Sequence, residues 1–168
     1  MVPKQAHQLF TREKIEAITR RIALQILESN LEEPTLYLVG IADNGLLFAD
    51  RIAASLRKHT QQPIEVIALV MDKTNPQQPI QTSIKISQCE NKAVIIVDDV
   101  LNTGSTLIYA VRHFLQVPLK KLQTAVLVNR NHKRFPIKAD FKGVSLSTSF
   151  KEHVTVLFEG ASEGVYLS

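Results

Sequence analysis

The sequence predicts an α/β protein built on a central, mostly parallel sheet with helices on both faces. Three observations predict it. Short apolar runs alternate with amphipathic segments along the chain, the order expected when strands buried on both faces are joined by crossover helices. Two of the runs, LYLVGI (Leu36–Ile41) and AVIIVD (Ala93–Asp98), are continuous rather than alternating, as in strands shielded from water on both sides. Each leads through a polar turn containing glycine into a helical repeat, and in open parallel sheets ligands bind beyond such strand ends.

Composition narrows the class. With 168 residues, 45% hydrophobic and 21% charged, the chain can form one domain over residues 1–168 with its own core, and it is too apolar for a disordered segment. Six Gly and seven Pro exclude a collagen-like or low-complexity sequence. No apolar run approaches the roughly 20 residues of a membrane-spanning helix, and the opening MVPKQAHQ lacks the pattern of a secretory signal, so a cytoplasmic location is expected. Cys89 stands alone, which excludes a disulfide scaffold or a multi-cysteine zinc site. The net charge of +4 has an address: five of the 20 basic residues but one of the 16 acidic residues lie between Asn129 and Lys142. Such a segment is either a solvated loop or a contact for an anionic partner.

The elements follow in order. Ile15, Ile18, Ile22, Ile26 and Leu27 predict a helix over residues 12–28, with Thr11 as its N-cap. After the strand at Leu36–Ile41, Phe48, Ile52 and Leu56 mark a helix over Asn44–His59, and IEVIALV (Ile64–Val70) is the next strand. Met71–Ser83 is polar, holds two prolines and has no apolar period, so it is a loop or the lip of a site. Ile84 and Ile86 alternate with polar neighbours, the mark of a short half-exposed strand. The strand at Ala93–Asp98 leads into a helix carrying Leu107, Ile108, Val111, Phe114 and Leu115. Thr124–Asn129 is a further buried strand, and short strands near Val144–Leu146 and Val154–Phe158 follow the basic segment, within which Phe135 and Phe141 are expected to pack inward.

Three loops thus stand at strand ends: Ala42–Gly45, Asp99–Thr106 and Asn129–Arg134. The richest is VIIVDDVLNTGST (Val94–Thr106), which delivers adjacent carboxylates, Asp98 and Asp99, and then Thr103-Gly104-Ser105-Thr106 at a helix start. A helix start offers unpaired N–H groups and the positive end of the dipole, Gly104 allows close backbone approach, and three hydroxyls can donate to phosphate oxygens. The carboxylates can accept from sugar hydroxyls, so one ribose 5-phosphate unit would satisfy both halves. The competing reading is an ordinary N-cap beside solvated acids. Neither a Walker loop nor a dinucleotide GxGxxG is present.

VIIVDDVLNTGST resembles the phosphoribosyl pyrophosphate (PRPP) signature of the type I phosphoribosyltransferase family. LVGIADNG and AVLVNRNHKRFPIKADFKG (Ala125–Gly143) extend the likeness over most of the chain, and the latter points to the PyrR group, pyrimidine-operon attenuators with uracil phosphoribosyltransferase activity. The resemblance implies the family fold, with a small hood beside the central sheet, and transfer of ribose 5-phosphate from PRPP to a nucleobase, here uracil. It implies that Asp98 and Asp99 hold the ribose hydroxyls, that Thr103, Gly104, Ser105 and Thr106 cradle the 5-phosphate, and that Asn102 belongs with them to the PRPP-binding set. Ala42, Asp43, Asn44 and Gly45 would form the pyrophosphate loop, acting mainly through backbone N–H groups. Mg²⁺ would arrive with PRPP, without direct protein ligands. Lys73 would meet the leaving group, unless it is simply solvated. Val128, Asn129 and Arg130 would face the base, and His132, Lys133, Arg134, Lys138 and Lys142 would contact RNA. PRPP, uracil or UMP, RNA and further copies of the chain, as a homodimer or larger homo-oligomer, are the implied partners. The turn Ala42-Asp43-Asn44-Gly45 stands where PyrR proteins carry a Thr-Arg-Gly-type turn, and Met71–Ser83 is short and poor in Arg and Tyr. Both features support the alternative, a regulatory nucleotide- or RNA-binding protein with weak or no catalysis.

Overall fold

The computed structural model describes residues 6–147 and 152–168; Met1–Gln5, part of the opening read above as no secretory signal, lies outside them. In chain order the elements are β1 (His7–Thr11), α1 (Arg12–Ser29), β2 (Leu36–Ile41), α2 (Asn44–Leu56), β3 (Ile64–Val70), β4 (Gln81–Thr82), a 3₁₀ turn (Ile86–Cys89), β5 (Ala93–Leu101), α3 (Ser105–Phe114), β6 (Lys121–Arg130), β7 (Phe141–Leu146), β8 (Val154–Leu157) and β9 (Gly164–Leu167). The central sheet has the order β4-β3-β2-β5-β6-β7. All neighbours in it are parallel except β4, which runs antiparallel to β3. A second, antiparallel sheet has the order β1-β9-β8 and occupies the place of the expected hood.

The continuous apolar runs become the sheet's central strands because both faces are covered. One core joins α1 and α2 to the sheet through Ile15, Ile22, Phe48, Ile52, Ile95 and Val97. The other lies under α3 and includes Val94, Ile96, Leu107 and Phe114. Fully burying each such side chain contributes about 1.5–3 kcal/mol relative to exposure. No helix among the described residues is long and apolar enough to cross a membrane.

Several local expectations change. The strand expected at Ile84 and Ile86 is absent: the alternation reflects a loop and a 3₁₀ turn whose isoleucines pack on the second core, while the strand lies earlier, at Gln81–Thr82. Helix α1 begins after Thr11, but that hydroxyl makes no capping hydrogen bond. Helix α2 ends at Leu56, and turn bonds such as His59 N–H to Leu56 O at 2.8 Å close the remaining residues. Helix α3 ends at Phe114 and leaves Leu115 59% exposed, since Val117 precedes Pro118 and is steered away from helical backbone. Strand β5 runs on past Asp98, pairing Leu101 with Asn129 of β6.

Candidate functional site

The chain passes from β2 to β3 on one side of β2, then returns to lay β5 on the other side and β6 beyond it. The order therefore reverses between β2 and β5, and the crevice outside their carboxyl ends is where such sheets bind ligands. The turn after β2 and the carboxylates of β5 flank that point. Gly45 permits their closeness, because a Cβ there would sit 2.7 Å from the Val97 carbonyl oxygen and 3.1 Å from Asp98 Cα.

Three cavities occupy these strand ends. The smallest, about 50 Å³, lies at the start of α3 and is lined by Asp98 and by Asn102 to Thr106. Gly104 is the N-cap of α3 and takes φ +86°, a left-handed conformation that favours glycine. Thr103 Oγ1 accepts the Ser105 N–H at 3.3 Å, and Thr103 O accepts the N–H groups of Arg134 (2.8 Å) and Phe135 (3.1 Å). The turn is thus braced by the basic segment, while the first N–H groups of α3 have no partner within the helix. Such a helix start offers N–H donors to an anion.

The second cavity, about 410 Å³, opens between the β2 turn and the loop after β3, and is lined by Ala42, Asp43, Asn44, Met71, Lys73 and Asp99 among others. Asn44 is the first residue of α2, and its Nδ2 donates to Asp99 Oδ2 at 2.8 Å and to the Val156 carbonyl of β8 at 3.0 Å. Lys73 Nζ lies 3.5 Å from Asp98 Oδ1, so part of the Met71–Ser83 segment reaches the site. Asp98 is 4% exposed, and its carboxyl is pushed up to about 7, first by burial and then by the neighbouring Asp99 charge, with Lys73 opposing.

The third cavity, about 150 Å³, adjoins the first through Asn102 and Thr103 and is walled by Arg130, His132, Arg134, Glu152 and His153. Arg130 is 3% exposed and donates to the Glu152 carbonyl at 2.7 Å, with His132 Nδ1 at 3.2 Å from its guanidinium. Asn129 is also buried, donating to Ser145 Oγ at 3.1 Å and accepting from Lys133 Nζ at 3.1 Å. Val128 is buried in the α1–α2 core. Lys133, Arg134, Lys138 and Lys142 are exposed, and of these only Arg134 lines one of the three cavities. Phe141 is buried, and the half-buried Phe135 meets the Tyr109 ring edge-on at 6.4 Å. Glu152 and His153 were not anticipated. They reach the site because β8 returns beside β5, and no local pattern in KEHVTV marks that return.

Oxygen atoms dominate the donor set of the Asp43–Asp99 cleft, which suits a hard divalent cation. Among the described residues no group of three or more His, Cys, Asp or Glu side chains could hold a metal by itself. An ion here would need ligand oxygens to complete its shell.

The family model for the phosphoribosyl transferase domain matches residues 5–158. The Bifunctional protein PyrR of Pelotomaculum thermopropionicum is 34% identical over 157 residues, covering 89% of this chain and 87% of that protein. The one from Geobacter sulfurreducens is 39% identical over 151 residues, covering 84% and 85%. Among solved structures, a hypoxanthine phosphoribosyltransferase from Trypanosoma cruzi superposes with a TM-score of 0.76 at 18% identity, covering 94% of this chain and 92% of that one. One from Staphylococcus aureus gives 0.72 at 22% identity, covering 86% and 80%. A parallel sheet with its strand order reversing at a carboxylate pair and a helix-start cradle agrees with these matches, and the chain belongs to the phosphoribosyl transferase domain family.

Proposed function

We propose that the protein transfers ribose 5-phosphate from PRPP to a pyrimidine, uracil being the favoured acceptor, with release of pyrophosphate. One observation carries the reading: the carboxylate pair of β5 links two cavities, Asp98 lining the helix-start cradle and Asp99 lining the cleft that holds Lys73. The cradle of Asn102–Thr106 suits the 5-phosphate, Asp98 and Asp99 suit the ribose hydroxyls, the Asp43–Lys73 cleft suits pyrophosphate, and the Arg130–His153 cavity suits the base. A base nitrogen attacks C1 of the ribose and gives up its proton to the departing pyrophosphate or to water, while the C1–O bond to pyrophosphate breaks and the leaving group takes the bonding pair. Positive charge grows on the ribose beside the two carboxylates while negative charge grows beside Lys73, so positioning and fixed charge do the work. Mg²⁺, held by PRPP oxygens with Asp99 and Asp43 nearby, would neutralise the leaving pyrophosphate. On the family resemblance we place the protein in the cytoplasm as a homo-oligomer.

A second reading, regulatory nucleotide or RNA binding with little turnover, is favoured by the same cleft, where Lys73 shares the lining with two carboxylates, Asp43 and Asp99, and pairs with a third, Asp98. The exposed Lys133, Arg134, Lys138 and Lys142 support RNA contact, with the salt dependence that counterion release imposes. Incubation with PRPP, Mg²⁺ and a panel of nucleobases tests the choice, and UMP with pyrophosphate is the expected product. UMP binding without product from any base would establish the second reading and overturn the first.

A further inference from the structure

We propose that Asn44 is a positioning residue, whose amide fixes the plane of the Asp99 carboxylate for the ribose hydroxyls while clamping the small sheet to the site. The proposal rests on the phosphoribosyl reading and adds a side-chain role to a residue otherwise expected to act through its backbone. An amide NH₂ has two hydrogens, and both are committed far along the chain: one to Asp99 Oδ2, 55 residues away, the other to the Val156 carbonyl, 112 residues away. Asp99 Oδ1 accepts the Val100 N–H at 2.9 Å. Each carboxylate oxygen therefore takes one hydrogen bond from the protein. An sp² carboxylate oxygen has two acceptor sites, so the carboxylate keeps acceptor capacity beyond these two bonds, beside the Asp98 carboxyl that lies within side-chain hydrogen-bond reach of it. A fixed plane with that capacity suits the vicinal hydroxyls of a ribose. Without Asn44, rotation about the terminal torsion of Asp99 is held from one side only, and that torsion is intrinsically broad.

The fold does not depend on this contact alone. Arg51, seven residues further and on the same face of α2, donates to Glu163 Oε1 at 2.5 Å and to the Phe158 carbonyl. The small sheet therefore keeps a second attachment to α2 when Asn44 is truncated.

Titration calorimetry with ribose 5-phosphate and, separately, inorganic phosphate tests the proposal on the full chain. Phosphate reports on the Thr103–Thr106 cradle, and only the sugar reports on Asp99. Asn44→Ala is expected to weaken ribose 5-phosphate about tenfold and to leave phosphate within about twofold. Asn44→Gln, which keeps the two donors, should recover most of the loss. Equal affinity of Asn44→Ala and the parent for the sugar phosphate would overturn the proposal, as would parallel losses for both ligands. If the parent bound phosphate but gained nothing from the sugar, the phosphoribosyl reading itself would fall, and with it the role of Asn44.

Discussion

Asp98→Asn should make the protein more stable at neutral pH while weakening its ribose binding. The carboxyl is 4% exposed and raised from 3.8 to about 7, chiefly by burial. A carboxyl raised on folding leaves the native state holding a proton that the unfolded chain has released. Stability is therefore fully present below about pH 4, falls as pH rises towards about 7, and is level above it. A rise of about three pKa units at 1.36 kcal/mol each gives roughly 4 kcal/mol, and relaxation of the charged site lowers this to about 2–4 kcal/mol. Asparagine is nearly isosteric, can still accept the Asp99 N–H that Asp98 Oδ1 accepts at 3.0 Å, and carries no charge to desolvate. Urea unfolding of parent and variant across this pH range is the assay. The variant's advantage should grow by about 2–4 kcal/mol from the acid to the alkaline end, with Tm at the alkaline end rising by roughly 2–4 °C per kcal/mol. Ribose 5-phosphate should raise the parent's Tm more than the variant's, which keeps only the phosphate cradle and Asp99. Parallel pH profiles for the two proteins would refute the reasoning, because they would mean that Asp98 ionises as readily folded as unfolded.

Two further outcomes are expected. Gly104→Ala places a side chain at φ +86°, with its Cβ 2.7 Å from Ile137 Cγ2, and should cost about 1–2 kcal/mol by thermal denaturation and weaken inorganic phosphate in calorimetry. Arg51→Ala removes the partner of the buried Glu163 carboxylate, leaving Arg12 3.7 Å from its other oxygen, and also removes a cation 5.0 Å above the Phe158 ring; a loss of about 2–3 kcal/mol in urea unfolding is expected.

What could be read in advance follows from how local each signal is. Leu36–Ile41 coincides with β2 because a strand buried on both faces writes itself as an uninterrupted apolar word, and Ile64–Val70 coincides with β3 although Glu65 and Val70 are exposed. The carboxylate pair and the Thr-Gly-Ser-Thr helix start were legible for a similar reason: strand, turn and helix are contiguous in sequence, so the cradle is assembled from neighbours. Strands β1 and β9 were not legible. They pair His7 with Leu167 across almost the whole chain, and each has too few residues to show a period. Arg130 reads as part of a basic run, yet its guanidinium turns inward to a carbonyl 22 residues on, a choice made by tertiary packing and invisible in charge counting. The Asn44–Asp99 contact is of the same kind.

Asp98 and Asp99 are identical in chemistry and adjacent in sequence, and the pleat alone makes them different. Val97 belongs to the α1–α2 core and Ile96 to the α3 core, so successive β5 side chains point to opposite faces. Asp98 accordingly opens into the cradle beneath α3, and Asp99 meets Asn44 at the head of α2. The sheet thus sorts one residue type into two parts, a buried acid that titrates near neutrality and an anchored acceptor. Sliding β5 by one position against β6, where Asp98 stands opposite Val126, would turn each to the opposite face. The division of labour is stored in strand register, and every apolar residue that holds that register also keeps each carboxylate on its own face.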